Sequence, residues 1–355
     1  MSRFFSQKHA ALQAYVPGEQ PKDQQYVKLN TNESPYPPSP GVARRIAQAR
    51  PLNLYCDIPC TGLQSRMAKL LDVAPENLLF SNGSDEILNY AFLAFGDGDH
   101  PFVFPNITYG FYTVFGALNH VPYRQIPLRE DFAIDPADYC HAGAHVLIAN
   151  PNAPTGIALT RAQIETIVQT NADHVVIIDE AYVDFGAESC VPLTKKYPNL
   201  LVVQTFSKSR SLAGARLGFA VGQQALIDDL NTIKYSTNPY NVNSLTQAAG
   251  EAALDENDYY LDNCQKVIQT REQTRAALEA MGFTVLPSRS NFLFARHPGI
   301  SGQALYERLK ARGVLIRHFT QPIIADYNRI TIGTPEQMQT LLRETTLILQ
   351  GEEQA

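Results

Sequence analysis

The chain carries the sequence QTFSKSRSLAGARLGFAVG at residues 204–222, and its strongest chemical signals lie there. The short apolar runs at 200–203 and 217–221 are predicted to be buried strands. Between them lie Lys208, among small and hydroxyl side chains, and Arg216, close behind a glycine. A desolvated lysine amine can form a Schiff base with an aldehyde, and such an arginine can grip an anion near the backbone. A solvated loop lysine beside a structural arginine is an equally open interpretation of this stretch alone.

Composition limits the class of partner. The chain has 355 residues, 45% of them hydrophobic, which suggests roughly two domains. Its net charge is −6, from 29 basic and 35 acidic residues with no basic run, so nothing indicates binding to nucleic acid or a membrane surface. No stretch approaches the ~20 apolar residues of a membrane span, and residues 1–8 lack the apolar core of a signal peptide. We therefore expect small-molecule partners and a cytoplasmic location.

The cysteines and histidines do not form a recognisable metal site. The odd number of cysteines and the lack of a Cys-x-x-Cys pair fit reduced thiols better than a disulfide framework. Cys140, His141 and His145 have a tempting spacing, but Gly143 lies between the histidines and no closed set of four ligands follows. We therefore predict no bound metal.

Strands and helices alternate from residue 78 onward. Short apolar strands are predicted at 78–80, 101–104, 146–149 and 175–178. This alternation predicts an α/β fold with a mainly parallel sheet and helices on both faces. After Gly222 the pattern is mainly helical, with predicted helices at 244–260 and 260–281, and short apolar runs near the C-terminus predict a second, smaller α+β domain.

Polar side chains follow the ends of the predicted strands. Ser84 and Asp85 follow a glycine turn at a helix start, where free N–H groups can bind a phosphate, although such residues are more often only helix caps. Tyr109 opens the next helix, where it can stack on a flat ring or simply pack. Asp179 ends an apolar strand and is costly to bury without a cation, such as a protonated heterocyclic nitrogen. Ligands of open α/β sheets bind at this carboxyl edge, where Lys208 also falls.

These motifs together resemble those of the pyridoxal-phosphate-dependent aminotransferases of fold type I. The motifs occur in that family's order and approximate spacing over nearly the whole chain: Ser84-Asp85, Tyr109, NPNAPTG at 150–156, DEAY at 179–182, Ser207-Lys208 and Arg216. Three further segments look more narrowly like the histidinol-phosphate aminotransferases: YVPGE at 15–19, LNTNESPYPPSP at 29–40 and RITIGTPE at 329–336.

The resemblance implies an organisation in three parts. Residues 1–40 are expected to form an N-terminal arm that packs with the small domain. Residues 41–250 are expected to form a large cofactor-binding domain on a mainly parallel seven-stranded sheet, and residues 251–355 a small C-terminal domain.

The resemblance also implies pyridoxal 5'-phosphate as the cofactor. Lys208 is expected to bind it covalently and later to move a proton between the substrate carbon and the cofactor carbon. Asp179 is expected to pair with the ring nitrogen, Tyr182 to hydrogen-bond the phenolic oxygen, and Tyr109 to stack on the ring. The expected phosphate ligands are Ser84, Asp85, Ser207, Arg216 and, from a second subunit, Tyr55, which implies a homodimer.

One position departs from the family pattern. The family has asparagine immediately before Pro-Thr-Gly, where it helps to hold the phenolic oxygen, and this chain has Ala153. Asn152 is the adjacent amide and is expected to substitute as a cofactor ligand, although neighbouring side chains in a turn point in different directions.

The substrate prediction depends on two arginines at strand ends, Arg317 and Arg329. Surface salt bridging is the ordinary role of such residues. Histidinol phosphate carries a phosphate ester and 2-oxoglutarate a carboxylate, and a guanidinium fork can bind either anion at two points. By resemblance, Arg329 is the main anion clamp with Arg317 as its partner, and Tyr15, Asn32 and Asn291 line the remaining pocket.

The resemblance therefore predicts a cytoplasmic, homodimeric transaminase of histidine biosynthesis that moves the amino group of L-histidinol phosphate to 2-oxoglutarate. An aromatic aminotransferase and a threonine-phosphate decarboxylase of the same fold stay open as alternatives. A cofactor-binding regulatory protein is disfavoured, because the chain has no basic tract and no room for a DNA-reading domain.

Overall fold

The computed structural model describes residues 2–49 and 51–351, which form three β-sheets and their covering helices. The strands are β1 (Val27–Lys28), β2 (Leu78–Ser81), β3 (Phe102–Pro105), β4 (Tyr123–Ile126), β5 (His145–Ala149), β6 (Val176–Asp179), β7 (Leu200–Thr205), β8 (Gly218–Val221), β9 (Thr284–Val285), β10 (Phe292–Arg296), β11 (Val314–Leu315), β12 (Arg317–His318) and β13 (Asn328–Thr331). The helices are α1 (Pro40–Ala47), α2 (Thr61–Leu71), α3 (Ser84–Phe95), α4 (Phe111–Asn119), α5 (Arg161–Thr170), α6 (Val191–Thr194), α7 (Gln224–Thr237), α8 (Ser244–Asp255), α9 (Asn257–Ala280), α10 (Gly302–Ala311) and α11 (Pro335–Leu349).

The largest sheet has seven strands in the order β2-β8-β7-β6-β5-β3-β4. Strand β8 runs antiparallel to both of its neighbours, and all the other pairs are parallel. Every strand of this sheet except β8 therefore ends at the same edge, and β8 begins there. The predicted fold class, α/β with a mainly parallel seven-stranded sheet, is confirmed.

Helices cover both faces of the seven-stranded sheet. In β6, Val176 and Ile178 pack with residues of α2, α5 and α8, whereas Ile177 packs on the other face with residues of α3, α4 and α7. This alternation is the pleat of a β-strand, and burial on both faces explains why these strands are apolar throughout. Because Asp179 lies two residues after Ile177, the pleat puts its side chain on the α4 face.

The C-terminal part of the chain contains a smaller antiparallel sheet in the order β12-β13-β10-β9. Its core includes Leu293, Ile330 and Leu341, together with residues of α9 and α10. Strand β1, which lies within the predicted N-terminal arm, pairs in parallel with β11 and ties the arm to this part of the chain. The predicted limits of the arm and of the two domains stay predictions.

The structure differs from the sequence predictions at several elements. The helices expected at 244–260 and 260–281 are α8 and α9, but the break between them lies at Glu256 and not at Tyr260, because the backbone of Glu256 leaves the helical conformation (φ −109°, ψ 37°). Strands β1, β4 and β12 have no counterpart in the predictions. Strand β4 lies at a sheet edge, and three of its four residues are exposed, so no apolar run marks it.

Two features are absent from the part of the chain that the structure describes. No helix there combines the length and the apolar character that a membrane crossing requires. Nor do three or more histidine, cysteine or acidic side chains gather where they could hold a metal ion. The cysteines are free thiols, and burial raises the pKa of Cys60 to about 12, so this thiol stays protonated at neutral pH.

His145 is a buried histidine at the start of β5, on the sheet edge opposite the strand ends. Its Nδ1 accepts a hydrogen bond from the backbone N–H of Val175 at 2.9 Å, and its Nε2 lies 2.8 Å from the carbonyl oxygen of Phe95. A neutral ring with its proton on Nε2 satisfies both contacts. Burial lowers the pKa of His145 to about 4, and the rings of His100 and His174 lie 6.1 and 5.7 Å away.

We predict that the protein loses stability in mild acid through His145. The imidazole of His145 becomes charged near pH 6.5 in the unfolded chain and near pH 4 in the folded chain. The stability that the neutral ring contributes is therefore complete above pH 6.5 and is lost as the pH falls toward 4. Between pH 7 and pH 5 the loss is roughly 1–2 kcal/mol. His145→Gln is expected to flatten the pH dependence of the free energy of unfolding in urea, whereas exposed His141→Gln leaves it unchanged. An identical pH dependence in both variants would contradict this prediction.

Candidate active site

Two adjoining cavities, of about 260 and 300 Å³, lie at the carboxyl edge of the seven-stranded sheet. The residues that line both are Thr31, Tyr109, Ala153, Tyr182 and Lys208. The strand ends therefore open onto one continuous space, with the lysine between its two parts. We call these parts the first and the second cavity.

An anion cradle forms one end of the first cavity. Helix α3 begins at Ser84, after Gly83, and no side chain of the preceding residue caps its free N–H groups. Arg216 donates from Nη2 to Asp85 at 3.2 Å and from Nη1 to the hydroxyl of Ser207 at 3.4 Å. Helix N–H groups, two hydroxyls and a guanidinium are thus gathered where a phosphate can bind.

Two glycines allow these groups to approach one another. Gly83 has a φ of +80°, and a Cβ at this position would lie 2.5 Å from Nη2 of Arg216. At Gly218, the first residue of β8, a Cβ would lie 2.4 Å from the backbone nitrogen of Ser84. Side chains at either position would occupy the space between the helix start and the guanidinium.

Asp179 forms part of the opposite wall of the first cavity. Its Oδ2 accepts a hydrogen bond from the hydroxyl of Tyr112 at 2.9 Å, and its Oδ1 accepts one from the backbone N–H of Ala181 at 3.2 Å. Burial raises the pKa of Asp179 to about 6, although both hydrogen bonds act to lower it. A buried carboxylate without a basic partner among the described residues is suited to pair with a protonated ring nitrogen.

Lys208 lies between the cradle and Asp179. Its Nζ donates to the carbonyl oxygen of Thr31 at 3.3 Å and lies 5.8 Å from the centre of the Tyr182 ring. Tyr109 faces the same space, and its hydroxyl donates to Asp85 at 2.8 Å. Burial raises the pKa of Tyr109, which keeps its hydroxyl protonated as a donor.

Asn32 connects Tyr182 to the C-terminal part of the chain. Its Nδ2 donates to the hydroxyl of Tyr182 at 2.9 Å, and its carbonyl oxygen accepts from Nδ2 of Asn291 at 2.9 Å. The Oγ1 of Thr331 accepts from the backbone N–H of Asn32 at 3.0 Å and donates to its Oδ1 at 2.9 Å. Asn32 lines the second cavity, whereas buried Asn291 does not and contacts the site through Asn32.

The second cavity contains the two arginines of the sequence prediction, Arg317 and Arg329. Their guanidinium carbons lie 5.6 and 5.8 Å from the centre of the Phe319 ring. Arg329 donates from Nη2 to the carbonyl oxygen of Asn30 at 3.0 Å, and its buried Nε has no partner among the described residues. Burial lowers the pKa of Arg329, but a guanidinium stays charged at neutral pH. Neither arginine is in a salt bridge within the described residues.

The N-terminal arm covers the second cavity. Tyr15 lines this cavity and stacks on Phe111 with the ring centres 4.1 Å apart. Arg317 donates to the carbonyl oxygens of Val16 and Pro17 at 3.5 and 3.4 Å. One guanidinium therefore contacts both the arm and the cavity.

Asn152 lies outside both cavities, contrary to its expected role. Its Nδ2 donates to the carbonyl oxygen of Ile107 at 3.0 Å and to Thr155 at 3.2 Å, and its Oδ1 accepts from Thr108 at 2.8 Å. The amide is thus occupied within its own turn, and Ala153 faces the cavity instead. In this structure the amide that contacts Tyr182 comes from Asn32, which the sequence placed only in the substrate pocket.

Tyr55 also lies outside the cavities of its own chain. It is 76% exposed and stacks on Tyr240 with the ring centres 4.2 Å apart. Lys234 is buried beneath this segment and donates to the carbonyl oxygen of Ile58 at 3.3 Å. The exposed ring is therefore held on the surface, and its predicted role in a second subunit stays a prediction.

Three residues at the site were not among those predicted from the sequence: Tyr112, Thr31 and Thr205. Thr205 donates to Ser207 at 2.9 Å and lines the first cavity, but hydroxyl residues are too common in loops to be recognised as ligands. Tyr112 gave no signal either, because it lies behind the cavity wall and lines neither cavity.

Comparison with known proteins identifies the family. The model of the family described as "Aminotransferase class I and II" matches residues 24–344. The chain belongs to this family. The predicted enzyme class is thereby confirmed, and with it the cofactor that aminotransferases of this family use, pyridoxal 5'-phosphate.

The narrower resemblance is confirmed as well. The aminotransferase is 49% identical to the histidinol-phosphate aminotransferase of Brachyspira hyodysenteriae over 354 residues, which cover 99% of this chain and 100% of the relative. Two solved structures share its fold. The histidinol-phosphate aminotransferase of Sinorhizobium meliloti in complex with pyridoxal-5'-phosphate has a TM-score of 0.84 at 23% identity and covers 92% of this chain and 91% of its own. The L-threonine-O-3-phosphate decarboxylase of Porphyromonas gingivalis has a TM-score of 0.78 at 20% identity, with 91% and 99% covered.

The donor set of the first cavity fits the cofactor of the family. The cradle around Arg216 suits its phosphate, the amine of Lys208 suits its aldehyde, and buried Asp179 suits its ring nitrogen. The glycine at position 83 leaves open the space that a Cβ would fill beside the guanidinium. These roles stay proposals for the individual residues.

We predict that Gly83→Ala weakens binding of pyridoxal 5'-phosphate to the apo-protein by at least about tenfold, because the new Cβ displaces the guanidinium of Arg216. Gly143→Ala is the matched control, since Gly143 also has a positive φ, +60°, but no atom lies within 4 Å of an added Cβ. Both variants are expected to lose about 1 kcal/mol of stability from the backbone conformation. Absorbance titration measures the affinity, and equal values for the two variants would refute the cradle.

Proposed function

We propose that this aminotransferase moves the amino group of L-histidinol phosphate to 2-oxoglutarate and produces imidazole-acetol phosphate and glutamate. The observation that carries the proposal is the pair Arg317 and Arg329 in the second cavity, which have no acidic partners among the described residues and lie in the same cavity as Lys208. The identity of 49% to a full-length histidinol-phosphate aminotransferase supports the choice of donor.

The arginine pair suits both substrates of a two-step transfer. Histidinol phosphate has a phosphate where an amino acid has its carboxylate, and 2-oxoglutarate has a carboxylate. The buried Nε of Arg329 has an unused donor, and leaving such a donor unpaired is costly. An anionic substrate supplies the missing acceptor, and the planar fork accommodates either a phosphate or a carboxylate.

Lys208 is the residue that moves protons in this proposal. It lines both cavities, so its amine can take the proton from the substrate carbon that bears the amino group and return it to the cofactor carbon. The bound cofactor supplies the electron sink that makes this carbon acidic. Tyr109 and Tyr182 line the same space and orient what binds there, while Tyr15 on the arm limits the access of water.

The exposed Tyr55 leads us to propose further that the enzyme works as a homodimer. The ring stacks on Tyr240, and Leu52 and Leu54 beside it are 75% and 57% exposed, so the segment presents an apolar surface. A second copy that covers this surface would carry Tyr55 to the phosphate end of its neighbour's first cavity. We also propose a cytoplasmic location, which suits an enzyme whose cysteines are all free.

The function is tested by single half-reactions without any keto acid. Histidinol phosphate, phenylalanine and threonine phosphate are added separately to the holoenzyme, and the absorbance of the bound cofactor is followed. Conversion to the amine form of the cofactor at the lowest concentration of histidinol phosphate supports the proposal. A preference for phenylalanine would make the enzyme an aromatic aminotransferase, and release of carbon dioxide from threonine phosphate would make it a decarboxylase.

We predict that Arg329→Ala weakens both half-reactions, with histidinol phosphate and with 2-oxoglutarate. The expected loss in kcat/KM is about 2–4 kcal/mol, roughly 30- to 1000-fold, because an anion loses its charged partner. Arg296→Ala is the matched control, since Arg296 is exposed on β10 and lines neither cavity. A loss confined to one of the two substrates would show that their anions bind at separate places.

We predict that hybrid dimers show whether Tyr55 serves the site of its own chain or the site of the neighbouring subunit. A dimer of one Lys208→Ala subunit and one Tyr55→Ala subunit contains one intact site if Tyr55 serves the neighbouring subunit. Such hybrids, purified with two different affinity tags, are expected to recover close to half of the wild-type activity. Hybrids no more active than the Tyr55→Ala homodimer would place Tyr55 in the site of its own chain or in none.

A further inference from the structure

Tyr112 is a fully buried tyrosine in contact with the wall of the first cavity, and no motif of the sequence marks it. It lies in the first turn of α4, its side chain is inaccessible to solvent, and it lines neither cavity. Its hydroxyl nevertheless donates to Oδ2 of Asp179 at 2.9 Å. Through this hydrogen bond Tyr112 can act on the reaction by way of Asp179, without touching what binds in the cavity.

The packing around Tyr112 fixes the direction of this hydrogen bond. Its ring meets Tyr109 edge-on, with centres 5.7 Å apart and planes at 86°, and it meets Phe104 at 5.7 Å and 69°. A ring held on two sides has little rotational freedom, so its hydroxyl has little choice of acceptor. The pleat of β6 puts Asp179 on this face of the sheet, and the two side chains meet there.

We propose that Tyr112 is a positioning residue for the aminotransferase reaction, which holds the carboxylate of Asp179 as an oriented anion from behind the cavity wall. The inference depends on the proposed function, because it assumes that Asp179 serves the ring nitrogen of the cofactor.

The charged groups around Asp179 make the hydrogen bond from the hydroxyl of Tyr112 important. Lys208 is the neighbouring cation and favours the anionic form, whereas Asp85 on α3 disfavours it. Burial is the largest influence and raises the pKa of Asp179 to about 6, while the hydroxyl of Tyr112 and the N–H of Ala181 lower it. Without the hydroxyl, only one of the two carboxylate oxygens keeps a protein donor, so the acid form gains population near neutral pH.

A neutral Asp179 would be a poor partner for the cofactor. A carboxylate keeps a ring nitrogen protonated by its charge, and a carboxylic acid lacks that charge. Tyr112 also packs on Tyr109, the residue expected to stack on the ring, so one side chain contacts both the stacking group and the charged group.

The test uses Tyr112→Phe, which removes the hydroxyl and keeps the ring between Phe104 and Tyr109. In the apo-protein, carbon-13 labelled at the aspartate carboxyl groups, the titration of Asp179 is followed by NMR and assigned with Asp179→Asn. The midpoint is expected to rise by roughly one pH unit in Tyr112→Phe. Tyr139→Phe is the matched control, because Tyr139 is buried but its hydroxyl has no partner among the described residues. An unchanged midpoint in Tyr112→Phe would overturn the proposal.

A double-mutant cycle separates positioning from a merely structural role. Affinity of the apo-protein for pyridoxal 5'-phosphate is expected to fall about tenfold on Tyr112→Phe, but to change little when the same substitution is made in Asp179→Asn. Equal losses in both backgrounds would mean that the hydroxyl acts only on packing and would overturn the proposal.

A second substitution keeps the proposal testable if Tyr112→Phe does not fold. Replacement of Tyr112 by 3-fluorotyrosine retains the shape and makes the hydroxyl a stronger donor, so the midpoint of Asp179 is expected to fall. A rise or no change would count against the proposal. Because neither titration contains substrate, failure here is distinct from failure of the proposed function, which the half-reactions test.

Discussion

The burial of one carboxylate at the end of β6 is the constraint on which the rest of the site depends. Asp179 is 5% exposed and receives two hydrogen bonds from the described residues, neither of them from a cation. A charge in that position is tolerable only with well-directed donors and a charged ligand in the cavity. The apolar strand behind it cannot supply either, so the donors come from a helix on one face of the sheet and from the turn that follows the strand.

The strand order explains how residues far apart in sequence reach this carboxylate. Strands β2, β3, β6 and β7 run in the same direction, so the residues that follow them emerge at one edge of the sheet. Strand β8 runs the other way, and for that reason Arg216, which precedes it, arrives at the same edge. A single reversed strand thus brings a cation to the start of α3, where a purely parallel sheet would bring only strand ends.

Periodicity and turn residues made the central sheet and most of the cavity predictable. Lys208, Asp179 and Arg216 could be recognised because each follows or precedes an apolar run. Such a run shows where a buried strand begins and ends. The role of Asn152 could not be read in this way, because the direction of an amide within a turn depends on neighbours such as Thr108 and the carbonyl of Ile107. Tyr112 was missed for a related reason, since it contacts the site from behind and carries no distinctive spacing of its own. Strand β4 was not predicted because an exposed edge strand requires no apolar run.

The first part of the N-terminal arm lines the second cavity without belonging to a hydrophobic core. Every buried member of the four hydrophobic cores lies at or beyond Leu29, so the part of the arm before β1, residues 2–26, contributes no buried core residue. Yet Tyr15 forms part of the second cavity, and the carbonyl groups of the arm contact Arg317. The cover of the second cavity is therefore encoded in a segment that adds no buried residue to the hydrophobic cores. Substitutions in residues 2–26 can reshape the cavity without removing a buried core residue, which suits this segment to the evolution of a different substrate preference.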